Sequence, residues 1–499
     1  MPSASDPDTE PLWDAASLVR AAGGFADGEV AGSITGISID TRSLVAGDLF
    51  VALQDQRDGH DFVSAAFERG AAAALVSTRY ARRPGDGLLV RVPDPLEGLR
   101  SMAIAARARL GTQARVIAVT GSAGKTGTTA MLRACLARNG ATHAPEKSLN
   151  NHWGVPLTLA RMPAETQFAV LEIGMNHAGE ISPLTRLVRP HIALVTNVLP
   201  VHIANFTDGE IGVAHAKAEI FDGLDPGGVA ILPLDSAHIA ILEDAAIRQR
   251  ARVITFGMSR AADVHPTVID LGSDGSDVTL ESGESWRVGT PGQHIAVNSL
   301  AVAAVLRLLG ETADPPFRMT DALGAVARVH PGAGRGARGH YSVTHPDGRS
   351  ADIVLIDESY NANPASMAAA LGVLGRTSPT RGGRRIAVLG DMRELGDLGP
   401  ALHVALCDPI RTNAIDLVFA CGPLMQGLFE TLPQDVRGAW RETSEGLVAA
   451  LIGGLTTGDI VMVKGSLGTN MAPLIAAIKS SDNAVRSRAH SEDEASVVP

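Results

Sequence analysis

The sequence predicts a three-domain α/β protein, and three observations carry that prediction. The chain has 499 residues, too long for one hydrophobic core. β-Branched runs ending in loop formers alternate with helical stretches, which is the rhythm of a parallel sheet wound through helices. That rhythm occurs twice, on either side of the glycine-rich stretch "HPGAGRGARGHY", behind a smaller opening block.

Taken in order, residues 1–11 are polar and aperiodic and are expected to be disordered. Residues 12–112 mix short strands ("SITGISID", "DLFVAL") with a helix over "DFVSAAFERGAAAALV", giving a small mixed α/β N-terminal domain. Residues 113–330 carry the strands "RVIAVTG", "QFAVLEIG", "HIALVTNV" and "GGVAILP". These runs are continuous rather than alternating, so the sheet is expected to be parallel and covered on both faces. Residues 331–482 repeat the pattern in "ADIVLID", "RRIAVLGD", "DLVFACG" and "DIVMVKGS", with helices such as "PASMAAALGVLG" between them. A Rossmann-like C-terminal α/β domain follows. The tail, 483–499, is again expected to be disordered.

Composition excludes some functions. The net charge is −11, from 43 basic and 54 acidic residues, which argues against a nucleic-acid binder held by phosphate contacts. Aromatics are only 4%, so Ala, Val, Leu and Ile must build the cores. Cys135, Cys407 and Cys421 make no CxxC pair, which fits a reducing cytoplasm and neither zinc nor a disulfide framework. The start lacks a signal-peptide pattern, and "AVAAVLRLLG" is interrupted by Arg307. A cytoplasmic monomer without stable membrane insertion is expected.

The chemistry begins at "VIAVTGSAGKTGTT". Gly121 and Gly124 let the backbone of Gly121, Ser122, Ala123, Gly124, Lys125, Thr126 and Gly127 turn its N–H groups toward an anion. Lys125 supplies a point charge for β and γ phosphates, and Thr126 a hydroxyl for Mg²⁺. The helix that follows aims its positive end at the same spot. Val119 stands where the full phosphate-loop pattern has glycine, yet strand, loop and helix come in the right order. The central domain is therefore read as a P-loop ATPase-type doubly wound sheet.

Ligands of open α/β sheets bind at the carboxyl ends of the strands, and Glu172, Asn197 and His202 fall there. A lone histidine is more often packed or on the surface; the cluster means more than its members. Lys217, on the helical "AHAKAEIFDGL", reads by itself as a surface charge. Asn150 and Asn151 in "NNHWGVPLTL" suit either a turn or hydrogen bonds to an extended polar ligand.

In order, "TGSAGKTGTT", "NNHWGVPLTL", "LEIGMNHAGEI", "AKAEIF", "GQHIAVNSLAVAA", "DESYNANPASM", "LGDMRELG" and "VKGS" resemble the Mur ligases over nearly the whole chain between its tails. The resemblance implies an ATP-dependent amide ligase of peptidoglycan synthesis that joins D-Ala-D-Ala to UDP-MurNAc-tripeptide through an acyl phosphate. It implies Lys125, His202 and Lys217 as catalytic residues and Thr126, Glu172, His202 and Lys217 around Mg²⁺, with Lys217 as a carbamate. It implies ATP contacts from His294, Asn298, Arg335 and Asp357. Uridine-side contacts fall on Asp40, Ser43 and His60, UDP-sugar contacts on Asn150 and Asn151, and dipeptide contacts on Asn361 and Asn363. Gly127 and Ser148 depart from the family pattern, where Ser or Thr and Asn are common. A sibling ligase, a folylpolyglutamate-type ligase and a non-catalytic nucleotide switch are the alternatives.

Overall fold

The computed structural model describes residues 11–145, 147–311, 317–330, 332–380 and 382–481. The tails expected to be disordered therefore lie outside the described residues, Pro11 excepted.

The first block forms a five-stranded sheet in the order Phe25–Asp27, Leu88–Val92, Ala73–Ser77, Asp48–Val51, Gly36–Ser38. Only its first pair is antiparallel. The helix expected over "DFVSAAFERGAAAALV" is only half right. It runs Val63–Glu68 and stops near Gly70, whose φ is +92°, and Ala73–Ser77 is a strand. Alanine favours a helix locally, but here small side chains fit between two neighbouring strands, where Ala73, Ala74, Leu75 and Val76 are fully buried.

The second block is an all-parallel sheet in the order Arg252–Phe256, Val229–Pro233, Ile192–Val195, Arg115–Thr120, Phe168–Glu172, Thr142–His143. Along its central strand, Val116 and Ala118 enter one core while Ile117 and Val119 enter the other. Both faces are thus covered, as the continuous apolar runs require. Register places Glu172 beside Val119 and Val195 beside Thr120, so three strands end together at one edge. The helix Gln293–Gly310 closes one face. Its 18 residues are long and apolar enough by length and composition to cross a membrane, contrary to the expectation drawn from Arg307. Packing accounts for that character: Leu300 to Leu306 are buried in the core shared with the sheet and with the helix Lys125–Leu136.

A three-stranded antiparallel sheet, Pro266–Leu271, Ser276–Leu280 and Ser285–Val288, was not anticipated from the sequence. The last block is a six-stranded sheet in the order Ala337–Thr344, Ser350–Glu358, Ile460–Lys464, Arg385–Gly390, Leu417–Cys421, Arg437–Arg441. Its pairs are parallel except the first.

Candidate active site

A cavity of about 1110 Å³ opens between the central and C-terminal blocks, with Glu97, Arg100 and Ile104 of the helix Pro95–Ala108 also lining it. Its floor is the loop after the strand Arg115–Thr120. Gly124 caps the helix Lys125–Leu136 in a left-handed conformation, with no side chain capping the free N–H groups. Those donors are available to an anion. Asn197 holds the loop in shape: its Oδ1 accepts from Ala123 N–H at 2.9 Å, and its Nδ2 donates to Ala123 O at 3.0 Å. A Cβ on Gly121 would stand 1.8 Å from Thr196 Oγ1, so only glycine fits there.

Above the loop sits Glu172, buried at the end of its strand. Its Oε2 accepts from Thr126 Oγ1 at 2.9 Å; its Oε1 accepts from Ser148 Oγ at 2.9 Å and from Asn150 Nδ2 at 2.7 Å. Ser148, a departure from the family pattern, is thus a working donor. Lys125 donates from Nζ to Gly121 O at 2.7 Å. Burial pulls its ammonium below the ordinary lysine range, with Glu172 opposing and Arg335 assisting. Lys217 is not the surface residue its helix suggested: it is 3% exposed. Burial, and then the charge of Lys125, hold its ammonium well below the ordinary range.

The C-terminal block supplies the roof. Arg335 lines the cavity with its guanidinium carbon 3.9 Å from the centre of the Tyr360 ring. Lys464, almost fully buried, donates to Asn361 O at 2.9 Å and to Glu358 Oε2 at 3.4 Å.

The cavity brings together most of the expected site: Ser122 to Gly127, Asn150, Asn151, Glu172, His202, His294, Asn298, Arg335, Asn361 and Asn363 all line it. Several of these also have structural work. Asn151 Oδ1 accepts from Gly154 N–H at 2.8 Å, and Asn363 caps the helix Pro364–Arg376 through Ser366 N–H at 2.9 Å. Gly121 and Lys217 are not among the residues that line the cavity.

Asp357 does not line the cavity. Its Oδ1 accepts from the Ser359 hydroxyl at 2.6 Å, and the neighbouring carboxylate, Glu358, faces the cavity instead. Successive residues of a strand point to opposite faces, so one step in register decides which carboxylate faces the cavity.

Asp40, Ser43 and His60 also lie off this cavity. Arg42 grips Asp40 at 3.0 and 2.6 Å and holds its carboxyl down to about 2. Ser43 N–H donates to Asp40 O at 3.1 Å. Both ring nitrogens of His60 are occupied, Nδ1 by Asp58 at 2.6 Å and Nε2 by Ser77 N–H at 2.9 Å. Glu358, Lys464 and Arg100 line the cavity without having been singled out. "VKGS" flagged the lysine's neighbourhood, but nothing local marks Glu358 or Arg100.

A phosphate loop in one parallel sheet, roofed by basic and amide side chains from another, is the arrangement that comparison with known proteins classifies. Residues 119–306 match the Mur ligase middle domain, and residues 347–467 match the domain described as Mur ligase, glutamate ligase domain. Fold and site together define a Mur-type ligase. A UDP-N-acetylmuramoyl-tripeptide–D-alanyl-D-alanine ligase of Bacillus subtilis (strain 168) is 32% identical over 449 residues, 89% of this chain and 92% of that protein. One of Escherichia coli (strain K12) is 36% identical over 406 residues, 79% of this chain and 84% of its own length. The chain belongs to the UDP-N-acetylmuramoyl-tripeptide–D-alanyl-D-alanine ligase family. A crystal structure of MurF from Acinetobacter baumannii has a TM-score of 0.77 at 29% identity, covering 94% of this chain and 99% of that one. The MurF ligase of Thermotoga maritima in complex with ADP shares the fold, with a TM-score of 0.70 at 22% identity, covering 90% and 98% of the two chains.

Proposed function

We propose that this chain uses ATP to join D-alanyl-D-alanine to the free carboxylate of UDP-MurNAc-tripeptide, releasing the pentapeptide precursor, ADP and phosphate. One observation carries the reading beside the family membership: a single cavity collects an anion-binding loop and a buried carboxylate from the central block and a cationic roof from the C-terminal block. We assign three domains, to residues 12–112, 113–330 and 331–482, and the work to a cytoplasmic monomer.

A carboxylate is a poor electrophile because attack on it would have to expel oxide. Transfer of the γ-phosphoryl group to one carboxylate oxygen makes that oxygen a leaving group, and the dipeptide amine then displaces phosphate from the acyl carbon. The first step brings two anions together, so the site must neutralise charge. The N–H groups at Gly124 to Thr126 meet the phosphates, Lys125 adds its charge, and Arg335 reaches them from the roof. Asn150 is held by Glu172 beside this loop, which suits it to orient the sugar-peptide.

The donor set fits Mg²⁺. Thr126 Oγ1 and Glu172 Oε2 form a compact oxygen pair, while no group of three His, Cys, Asp or Glu placed to hold a metal ion occurs among the described residues. A cation there would draw its remaining ligands from phosphate and water, as Mg²⁺ usually does. Thr126, Glu172, His202 and Lys217 would surround it, and it would screen the charge between phosphate and carboxylate. Lys217 suits that role as a carbamate. Its burial favours the neutral amine, the form that adds to CO₂ with loss of one proton, and the product is an anionic oxygen donor in place of a repelling ammonium.

A phosphate-release assay over a small panel of UDP-peptides and dipeptides tests the assignment. Release should need both UDP-MurNAc-tripeptide and D-Ala-D-Ala. Release driven equally well by single L-amino acids would reassign the chain to a sibling ligase.

A further inference from the structure

The loop that carries His202 is held from two sides. On the central side Ser122 grips it: Leu199 N–H donates to Ser122 Oγ at 2.9 Å, and that hydroxyl donates to Leu199 O at 3.0 Å. On the other side it meets the C-terminal domain. Glu394, in the loop after the strand Arg385–Gly390, takes His202 Nδ1 on its Oε2, and Ala204 N–H donates to Glu394 O at 3.4 Å.

The His202–Glu394 contact joins residues 192 apart in the chain. Both backbones are left-handed, with φ of 59° at His202 and 65° at Glu394. Residues other than glycine adopt that conformation uncommonly, and here two of them meet across one contact. The fit is close on a third count: a Cβ on Gly396 would stand 3.4 Å from Ala204 Cβ. His202 lines the cavity, whereas Glu394 does not.

A carboxylate on Nδ1 has a definite chemical consequence. The proton stays on that nitrogen, and Nε2 presents its lone pair. The contact also fixes the ring's orientation, because the ring cannot flip without breaking the bond at Nδ1. We propose that Glu394 is a positioning residue: docked from the C-terminal domain, it holds His202 as the Nδ1–H tautomer and leaves Nε2 for the cavity. The central site is then complete only while the C-terminal domain is in place. Since the same loop is pinned by Ser122 of the phosphate loop, the step served is phosphoryl transfer rather than capture of the dipeptide.

The kinetic part of this inference rests on the ligase reading; the spectroscopic part does not. The test uses the full chain with ¹⁵N-labelled histidine, His202 being assigned by its disappearance in His202→Asn. Wild-type protein should show the Nδ1–H pattern of imidazole shifts, and Glu394→Ala a shift toward the Nε2–H form or an average of the two. In the ligase assay, Glu394→Ala should lower kcat about 10- to 100-fold, with KM for the dipeptide within about twofold. Glu394→Gln, whose amide oxygen accepts the same Nδ1–H, should recover most of that loss. An unchanged tautomer in Glu394→Ala would overturn the proposal, as would a defect confined to dipeptide KM or a Gln variant no better than Ala. Wild-type protein that ligates nothing would instead remove the ligase reading, while the imidazole shifts still decide the positioning.

Discussion

Replacing Gly124 with Ala puts the built phosphate loop to a quantitative test. Gly124 has φ 82° and ψ −5°, a left-handed conformation that costs an L-residue about 1–2 kcal/mol. The new methyl would also stand 2.1 Å from Asn298 Nδ2 and 3.2 Å from its Cγ. Asn298 is 5% exposed, so its amide must be displaced within packed surroundings, at about 1–3 kcal/mol. The loop would then be about 2–5 kcal/mol less ready to take its anion-binding shape, which corresponds to roughly 30- to several-thousand-fold weaker nucleotide binding. Calorimetric titration with ADP reads this directly. The same substitution made in an Asn298→Ala background should cost less, because the clash is gone and only the backbone term remains. Gly124→Ala binding ADP within threefold of wild type would refute the reasoning. So would an equal penalty in both backgrounds.

Three further outcomes follow from the same structure. Lys217→Ala should lose most ligase activity, and added bicarbonate should not restore it; full activity would dismiss the carbamate. Glu358→Gln should raise KM for ATP at least several-fold, while Asp357→Asn should act mainly on stability; the reverse pattern in steady-state kinetics would return the ligand-facing role to Asp357. His191 offers a pH test. Burial, aided by Arg107, pulls its imidazole down to about 4 against the partial help of Asp225, and its Nδ1 accepts Val116 N–H at 2.9 Å. The folded state therefore binds fewer protons than the unfolded state between about pH 6.5 and 4, so stability is full above that window and falls as pH falls through it. With the ring partly open to solvent, a loss of about 1–2 kcal/mol is expected. Unfolding midpoints measured from pH 7 to 4 should show that loss in wild type and much less of it in His191→Phe.

What was legible in the sequence was whatever short-range physics decides. The parallel strands showed as unbroken β-branched runs because both faces of each are buried. The phosphate loop showed because glycine, lysine and threonine at fixed spacing answer to one anion. What stayed hidden depends on contacts far apart in the chain. "AAAALV" favours a helix until the strand Asp48–Val51 lies beside it. Lys217 looks solvated until the fold buries it within reach of the charge on Lys125. Asp357 and Glu358 cannot be ranked without knowing which face of their strand meets the cavity, and the Glu394–His202 contact spans two domains. The asparagines were ambiguous in the sequence for a sound reason: Asn151 and Asn363 line the cavity and cap backbone N–H groups as well.

The central claim, that a shielded pocket lets a carboxylate be phosphorylated before it is amidated, has a direct isotopic test. UDP-MurNAc-tripeptide is labelled with ¹⁸O in both oxygens of its free carboxylate and turned over with ATP, Mg²⁺ and D-Ala-D-Ala. Mass spectrometry of the products should find one ¹⁸O in each released phosphate, the other in the new amide, and ADP as the nucleotide. Label recovered in AMP, or phosphate free of ¹⁸O alongside amide product, would contradict it.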